Sequence, residues 1–272
     1  MPFTLSHAAA ALPFRKFKPI WPALVIGTFA PDLQYFILLS DEDRSGHHYP
    51  DVLLFTLPVA LLVLWLFEWV VKEPAMALLP SSWQRRLQDK IAPLSFRGWR
   101  QFARIVVWIA VGTLTHLIWD QFTHSNTRTA NYLPVLNAHV TPPFWHSMTL
   151  AGVLQDVSTV LGFLGICLWC AAWYRRTLPA PKALAPEFRP LTKFCLVSIM
   201  GLAALLMGGV LAWYIVSDHL GPISRSTRVA IAVIAMTQVF CVEMLIYGAT
   251  VTLRSRFRQF AAPQIKESTP RS

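Results

Sequence analysis

Residues 102–122 read Phe102-Ala-Arg104-Ile-Val-Val-Trp108-Ile-Ala-Val-Gly112-Thr-Leu-Thr-His116-Leu-Ile-Trp119-Asp120-Gln-Phe122. A hydrocarbon layer about 30 Å thick needs about 20 helical residues to cross it. This run supplies them, with an arginine near its start and a histidine and an aspartate near its end. Four further runs qualify on the same ground, at residues 52–71, 153–174, 191–216 and 229–253. A sixth, at 20–39, contains Pro22, Pro31 and Asp32. It reads as a broken span whose freed backbone groups need partners elsewhere in the protein. The fold expected is therefore all-α: a polytopic transmembrane bundle of about six segments. The apolar stretch 1–14 is too short to span, and forms a re-entrant or interfacial helix ahead of the first segment.

The composition agrees. Of 272 residues, 54% are hydrophobic and 14% charged, and the mean hydropathy is +0.45. One soluble domain of this size has no core large enough to hide that much apolar surface, so lipid acts as part of the solvent. A net charge of +10 suggests nucleic acid only where the basic residues share a face of a soluble module. Here they lie between apolar runs, and no nucleic-acid partner is expected.

Their distribution sets the topology instead, because cytoplasmic loops are enriched in lysine and arginine. Arg15, Lys16 and Lys18 precede the first span, and Lys72, Arg85, Arg86, Lys90, Arg97 and Arg100 follow the second. Arg175, Arg176, Lys182, Arg189 and Lys193 follow the fourth, and Arg254, Arg256 and Arg258 open the tail. The loops on the other side hold only Arg44, Arg128, Arg225 and Arg228, leaving twenty of the twenty-four basic residues on one side. Both termini are expected in the cytoplasm. No cleavable leader is expected, because the first apolar stretch precedes its positive charges.

The chain divides into a polar-residue-rich membrane region (1–176), a proline-rich cytoplasmic linker (177–190), a plainer helix pair (191–253) and a basic tail (254–272). Residues 82–91, with Trp83 and two arginines, suit a short amphipathic helix on the membrane surface. Cys167, Cys170, Cys195 and Cys241 all fall in apolar runs, where small apolar packing is their role and neither a disulfide framework nor a zinc module is indicated.

The string His116-Leu-Ile-Trp-Asp120-Gln-Phe-Thr-His124 carries the chemistry. Spacings of i, i+4 and i+8 put three ligand-type side chains on one helical stripe. Ionisable groups are costly in lipid, so the stripe faces protein, water or a metal. Imidazole with carboxylate suits zinc, manganese or iron. Asp32, beside the helix-opening Pro31, adds a second carboxylate at similar depth, and Asp32 or Asp120 is the candidate general base. His7 approaches this site if the stretch 1–14 folds back along the first span; in the simpler topology it stays near the cytoplasm. His47, His48, His139 and His146 read as interfacial loop residues. Glu68 pairs with Lys72 at i+4 in a structural role. Glu243 lies deeper, where an interhelical hydrogen bond or a proton or ion path are the alternatives.

Three motifs carry a family resemblance: Pro2-Phe3-Thr4-Leu5-Ser6-His7-Ala8-Ala9-Ala10, Ala23-Leu24-Val25-Ile26-Gly27-Thr28-Phe29-Ala30-Pro31-Asp32, and Asp120-Gln-Phe-Thr-His124. Together they resemble an uncharacterised domain-of-unknown-function family of bacterial multi-pass membrane proteins. More distantly they are similar to membrane-bound metal-dependent hydrolases, which combine an early histidine, a Pro-Asp element and a later Asp-x-x-Thr-His-like element. That similarity implies His7, Asp32, His116, Asp120 and His124 as metal ligands. The enzyme expected is one in which a divalent metal at these residues activates water against a lipid-linked or phosphate-bearing substrate at a bacterial inner membrane. A second acidic residue commonly follows the Pro-Asp pair by two in that pattern; here the position is Gln34. The alternative is a transporter component or structural subunit, in which the same residues bind an ion or tie helices together.

Overall fold

Apolar runs in lipid fold as helices because only a helix serves every backbone polar group within its own segment. The computed structural model describes residues 4–17, 20–38, 52–125, 127–141, 147–181, 188–218 and 225–261, and they are almost entirely helical. Five helical stretches among them are long and apolar enough to cross a membrane: Val52–Leu78, Trp99–Tyr132, Leu150–Arg176, Pro190–Ser217 and Thr227–Arg254. The expected count of about six becomes five because run 20–39 is not one helix. It consists of α1 (Trp21–Phe29), a 3-10 turn (Ala30–Asp32) and α2 (Leu33–Leu38).

Pro31 explains the interruption. It lacks the N–H that would serve the Gly27 carbonyl in an α-helix, or the Thr28 carbonyl in a 3-10 turn. Side chains of α6 (Trp99–Thr123) meet both carbonyls. Thr113 Oγ1 donates to Gly27 O at 3.3 Å, and His116 Nδ1 lies 2.9 Å from Thr28 O. These bonds need close backbones, and glycine supplies them. A Cβ on Gly27 would collide with the Ile109 carbonyl, and one on Gly112 with the Leu24 carbonyl. Around this contact lies the main core, with Ile20, Ala23, Ala30, Ala60, Leu64, Ile105 and Ile109 buried. Large apolar side chains elsewhere, such as Leu114, Val160, Leu206 and Val210, face outward, as a lipid-solvated bundle requires.

The stretch expected to be re-entrant or interfacial is a 3-10 helix, Thr4–Phe14, packed between α1 and α8 (Leu150–Arg176). It runs antiparallel to α1: Phe14 meets Trp108 near the basic turn, and Trp21 Nε1 donates to Ala11 O at 2.8 Å. On the side expected to be cytoplasmic, α3 (Leu57–Leu66) continues through a π turn (Phe67–Val71) into α4 (Lys72–Leu78). Glu68, in that turn, accepts from Lys72 Nζ at 2.7 Å and from Leu94 N at 2.8 Å, so the expected i+4 pair also anchors the following loop. The amphipathic helix read at 82–91 appears as α5 (Ser81–Leu87) and a 3-10 turn (Gln88–Lys90). Arg86 fixes α5 to the end of α8 through the Tyr174 carbonyl and ring.

A short α7 (Arg128–Tyr132) and a two-residue pairing of β1 (His139–Val140) with β2 (Met148–Thr149) connect α6 to α8. α9 (Pro190–Asp218) and α10 (Arg225–Ala261) pack on each other, and α10 leans on the Phe67–Val71 turn. The cysteines carry no disulfide, and Cys167, Cys195 and Cys241 are exposed on lipid-length helices.

Gly27→Ala is expected to destabilise the protein by about 1–3 kcal/mol through overpacking. Gly201→Ala, with nothing near its added Cβ, is expected to leave stability unchanged or raise it by up to about 1 kcal/mol. Thermal unfolding in detergent checks the pair; equal losses would mean that the α1–α6 contact is looser than described.

Candidate functional site

Three chain segments deliver polar side chains to one point. α6 brings His116 and Asp120, one turn apart on the face turned to α1, and the 3-10 turn after α1 brings Asp32. The Thr4–Phe14 segment brings His7. His116 Nε2 lies 3.1 Å from Asp120 Oδ2 and 3.5 Å from Asp32 Oδ1. His7 Nε2 lies 3.7 Å from Asp120 Oδ1. The His7 and His116 rings stack with centroids 3.9 Å apart and planes 23° apart. His7, His116 and Asp120 each offer one ligand atom, all within 4.8 Å of one another.

Exposure grades the cluster. The side chains of His116 and Asp32 are 0% and 2% exposed, His7 is 4%, Asp120 is 11% and His124 is 34%. One side is sealed in the bundle, and the other opens toward the end of α6. His124 caps that end in an extended conformation. Its Nδ1 lies 3.8 Å from Asp120 Oδ1, 3.3 Å from the Asp120 carbonyl and 3.4 Å from Thr123 Oγ1.

The His116 ring is held by its hydrogen bond to the Thr28 carbonyl. A neutral imidazole donating through Nδ1 presents Nε2 as a lone pair. That lone pair faces carboxylate oxygens from Asp32 and Asp120, an arrangement that calls for a cation, either a proton or a metal, between them.

Of the residues read as a site from sequence, His7, Asp32, His116 and Asp120 are brought together, and His124 stands at the margin. The fold-back alternative for His7 is the one observed. Gln34, where an acidic residue would complete the hydrolase pattern, is fully buried. His139 is exposed, while His47, His48 and His146 lie outside the described residues. Glu243 is half-buried on α10; among the described residues its Oε2 has no hydrogen-bond partner and it joins no group of metal-ligand type.

Three supporting residues escaped the sequence reading. Thr28 and Gly112 orient His116, and the spacing Gly112-x-x-x-His116 already put a small residue one turn below the histidine on the same face. The third is Gly162 of α8. A Cβ there would lie 2.9 Å from the Ser6 carbonyl oxygen and 3.0 Å from Ser6 Cβ, so this glycine lets the segment carrying His7 seat against α8.

The fold and the cluster define a helical membrane protein with buried histidines and carboxylates converging in one half of the bundle. The chain belongs to the family described as Domain of unknown function (DUF4184), whose model matches residues 1–249. No curated protein and no solved structure matches it. The match bears out the expectation of a family of unknown function, and the likeness to metal-dependent hydrolases rests on the motif pattern alone.

Gly162→Leu is expected to unseat Ser6 and with it His7. In a His7→Cys chain, maleimide labelling above the native-cysteine background should rise about tenfold on adding Gly162→Leu. Unchanged labelling would mean that the segment is not held by α8.

Proposed function

We propose that the protein is a metal-dependent hydrolase of the bacterial inner membrane, acting on a lipid-linked or phosphate-bearing substrate. The basic turn at Arg15 and Lys16 and the C-terminal tail lie on the cytoplasmic side, and the cluster lies in the opposite half of the membrane. His7, Asp32, His116 and Asp120 would hold a divalent ion, zinc, manganese or iron. The carrying observation is their spacing. Ligands about 2.0–2.1 Å from a tetrahedral ion lie about 3.3–3.4 Å apart; the ligand atoms of His7, His116 and Asp120 all lie within 4.8 Å of one another, and Asp32 joins them through His116, 3.5 Å from its Nε2. The donor chemistry also fits: two imidazoles and two carboxylates suit such an ion, and the Thr28 carbonyl fixes one imidazole as metal-bound histidines generally require.

When bound, such an ion supplies a polarised oxygen and a water acidic enough to attack near neutral pH. The chain's own residues do the rest. Asp32 and His116, sealed on the inner side, set the site's position and charge. Asp32 is sealed from the open side, which favours Asp120 over it as the general base. Asp120 and His124 line the open side, where a substrate group arrives. The cluster lies one to two turns below the outer end of α6, about 5–10 Å, a depth that suits the headgroup region of a lipid.

Ion transport is the second reading. It is favoured by the interruption of the α1–α2 span at Asp32, since transporters place binding residues at broken helices. Proteoliposomes separate the two, because hydrolysis predicts turnover of a phosphoester without net ion flux.

Purified wild-type protein is expected to retain a divalent metal at a level of about one equivalent or more per chain, while His116→Ala and Asp120→Asn lose it. Elemental analysis decides this, and a wild type no richer in metal than the variants removes the proposal. Hydrolysis of phospholipid or p-nitrophenyl phosphate should fall to background in the same variants and on chelation.

A further inference from the structure

The residues whose ligand atoms can share one ion, His7, His116 and Asp120, come from two kinds of backbone. His116 and Asp120 lie on α6, a continuous helix of 25 residues. His7 arrives on the Thr4–Phe14 segment, a 3-10 helix of 11 residues with Pro13 inside it. Such helices seldom run beyond about 3–4 residues, because their hydrogen bonds are poorly aligned. One this long depends on what it packs against.

Its two ends are held differently. The end toward the basic turn is tied to α1 by the bond from Trp21 Nε1 to Ala11 O, and to α6 by the edge contact of Phe14 with Trp108. The other end carries Ser6 and His7. Ser6 is seated on α8 at Gly162, where a Cβ would lie 2.9 Å from the Ser6 carbonyl oxygen. His7 stacks on the His116 ring and lies 3.7 Å from Asp120 Oδ1. Adjacent residues of one segment thus meet α8 and the ligand group.

We propose that the Thr4–Phe14 segment is a strap locked by the ion, and that Gly162 sets the metal affinity of a site it does not touch. This rests on the metal reading above and deepens it. α6 alone offers His116 and Asp120, and the strap supplies the third member of the group. An ion bound to all three bridges the strap to α6, so binding favours the seated strap. Linkage makes the effect reciprocal: the factor by which the ion favours seating is the factor by which seating favours the ion. Gly162 is accordingly a positioning residue that acts through Ser6 and His7. The strap packs between α1 and α8, so the ion content of the site sets how firmly that flank of the bundle is closed.

Titration of the purified full chain with zinc, manganese and ferrous iron in turn, against a competing chelator, measures the affinity. Hydrogen–deuterium exchange of residues 4–14 measures the seating. Saturation of wild type with the tightest-binding ion is expected to slow that exchange about tenfold or more, and His7→Ala should lose this response. Gly162→Leu should weaken binding about ten- to a hundredfold and His7→Ala at least as much, while the double variant binds no more weakly than His7→Ala alone. A general loss of packing would instead lower affinity whether or not His7 were present. Gly165→Leu, on the same helix with nothing near its added Cβ, should change neither measurement. Ion-independent exchange in wild type, or a Gly162→Leu cost that persists in full without His7, overturns the strap and leaves the metal reading standing. A wild type that binds none of the three ions overturns both.

Discussion

The helix break at Pro31 is the constraint on which the rest of the structure depends, because it leaves the Gly27 carbonyl to the Ala30 N–H and takes from the Thr28 carbonyl the N–H that residue 31 would give it in a 3-10 turn. In water, two such groups would be solvated at little cost. In lipid, backbone groups at a break are served within the protein, and α6 adds Thr113 to the Gly27 carbonyl and His116 to the Thr28 carbonyl. That demand fixes the register of α6 on α1, and the glycines at 27 and 112 make the approach short enough to meet it. Once His116 is tied to Thr28, its other nitrogen faces Asp32, four residues further along the same broken segment. The polar cluster is thus a consequence of how a helix break is repaired.

Lipid as solvent also explains what the core is made of. Large apolar residues gain little by turning inward when the surroundings are as apolar as they are, and many face out. The interior is instead enriched in small residues and in polar groups that cannot face lipid: Thr28, Asp32, Gln34, Thr56, Glu68, Thr113, His116 and Thr123 are all buried. Glu68 illustrates the rule away from the cluster. Its side chain is sealed and is held by Lys72 and by the Leu94 amide, so one carboxylate ties together a π turn, an ion pair and the returning loop.

The spans were legible because length and apolarity are local properties, and runs 52–71, 102–122, 153–174, 191–216 and 229–253 all lie within observed helices. The stripe from His116 to His124 was legible because helical periodicity fixes which residues share a face. What periodicity could not decide was how segments lie against one another. His7 had two placements, since a short apolar stretch with no strong face runs equally well along the surface or back into the bundle. The observed choice depends on Gly162, more than 150 residues away in sequence. His124 read as the equal of His116, but α6 ends at Thr123 and the stripe loses its geometry there. Only five of the six runs are continuous membrane-length helices for a related reason: hydropathy registers apolar length, while Pro31 decides whether that length is one helix.

The residues of the cluster all come from the first 124 positions, yet the family match extends to residue 249 and takes in most of α10. Among the described residues, α9 and α10 contribute no side chain to the site, so their place in the family unit has a mechanical explanation. α10 packs on the Phe67–Val71 turn and on α2, the helix that continues from Asp32. Lys193 at the start of α9 donates to the Leu79 carbonyl at the end of α4, and Gln84 donates to the Met76 and Ala77 carbonyls in the same turn. A broken span in lipid is weak at its break, and α2 is short. By bracing α2 and the turn beside it, the C-terminal pair holds the far side of the break while α6 holds the near side, and Asp32 is kept between them at the depth of His116.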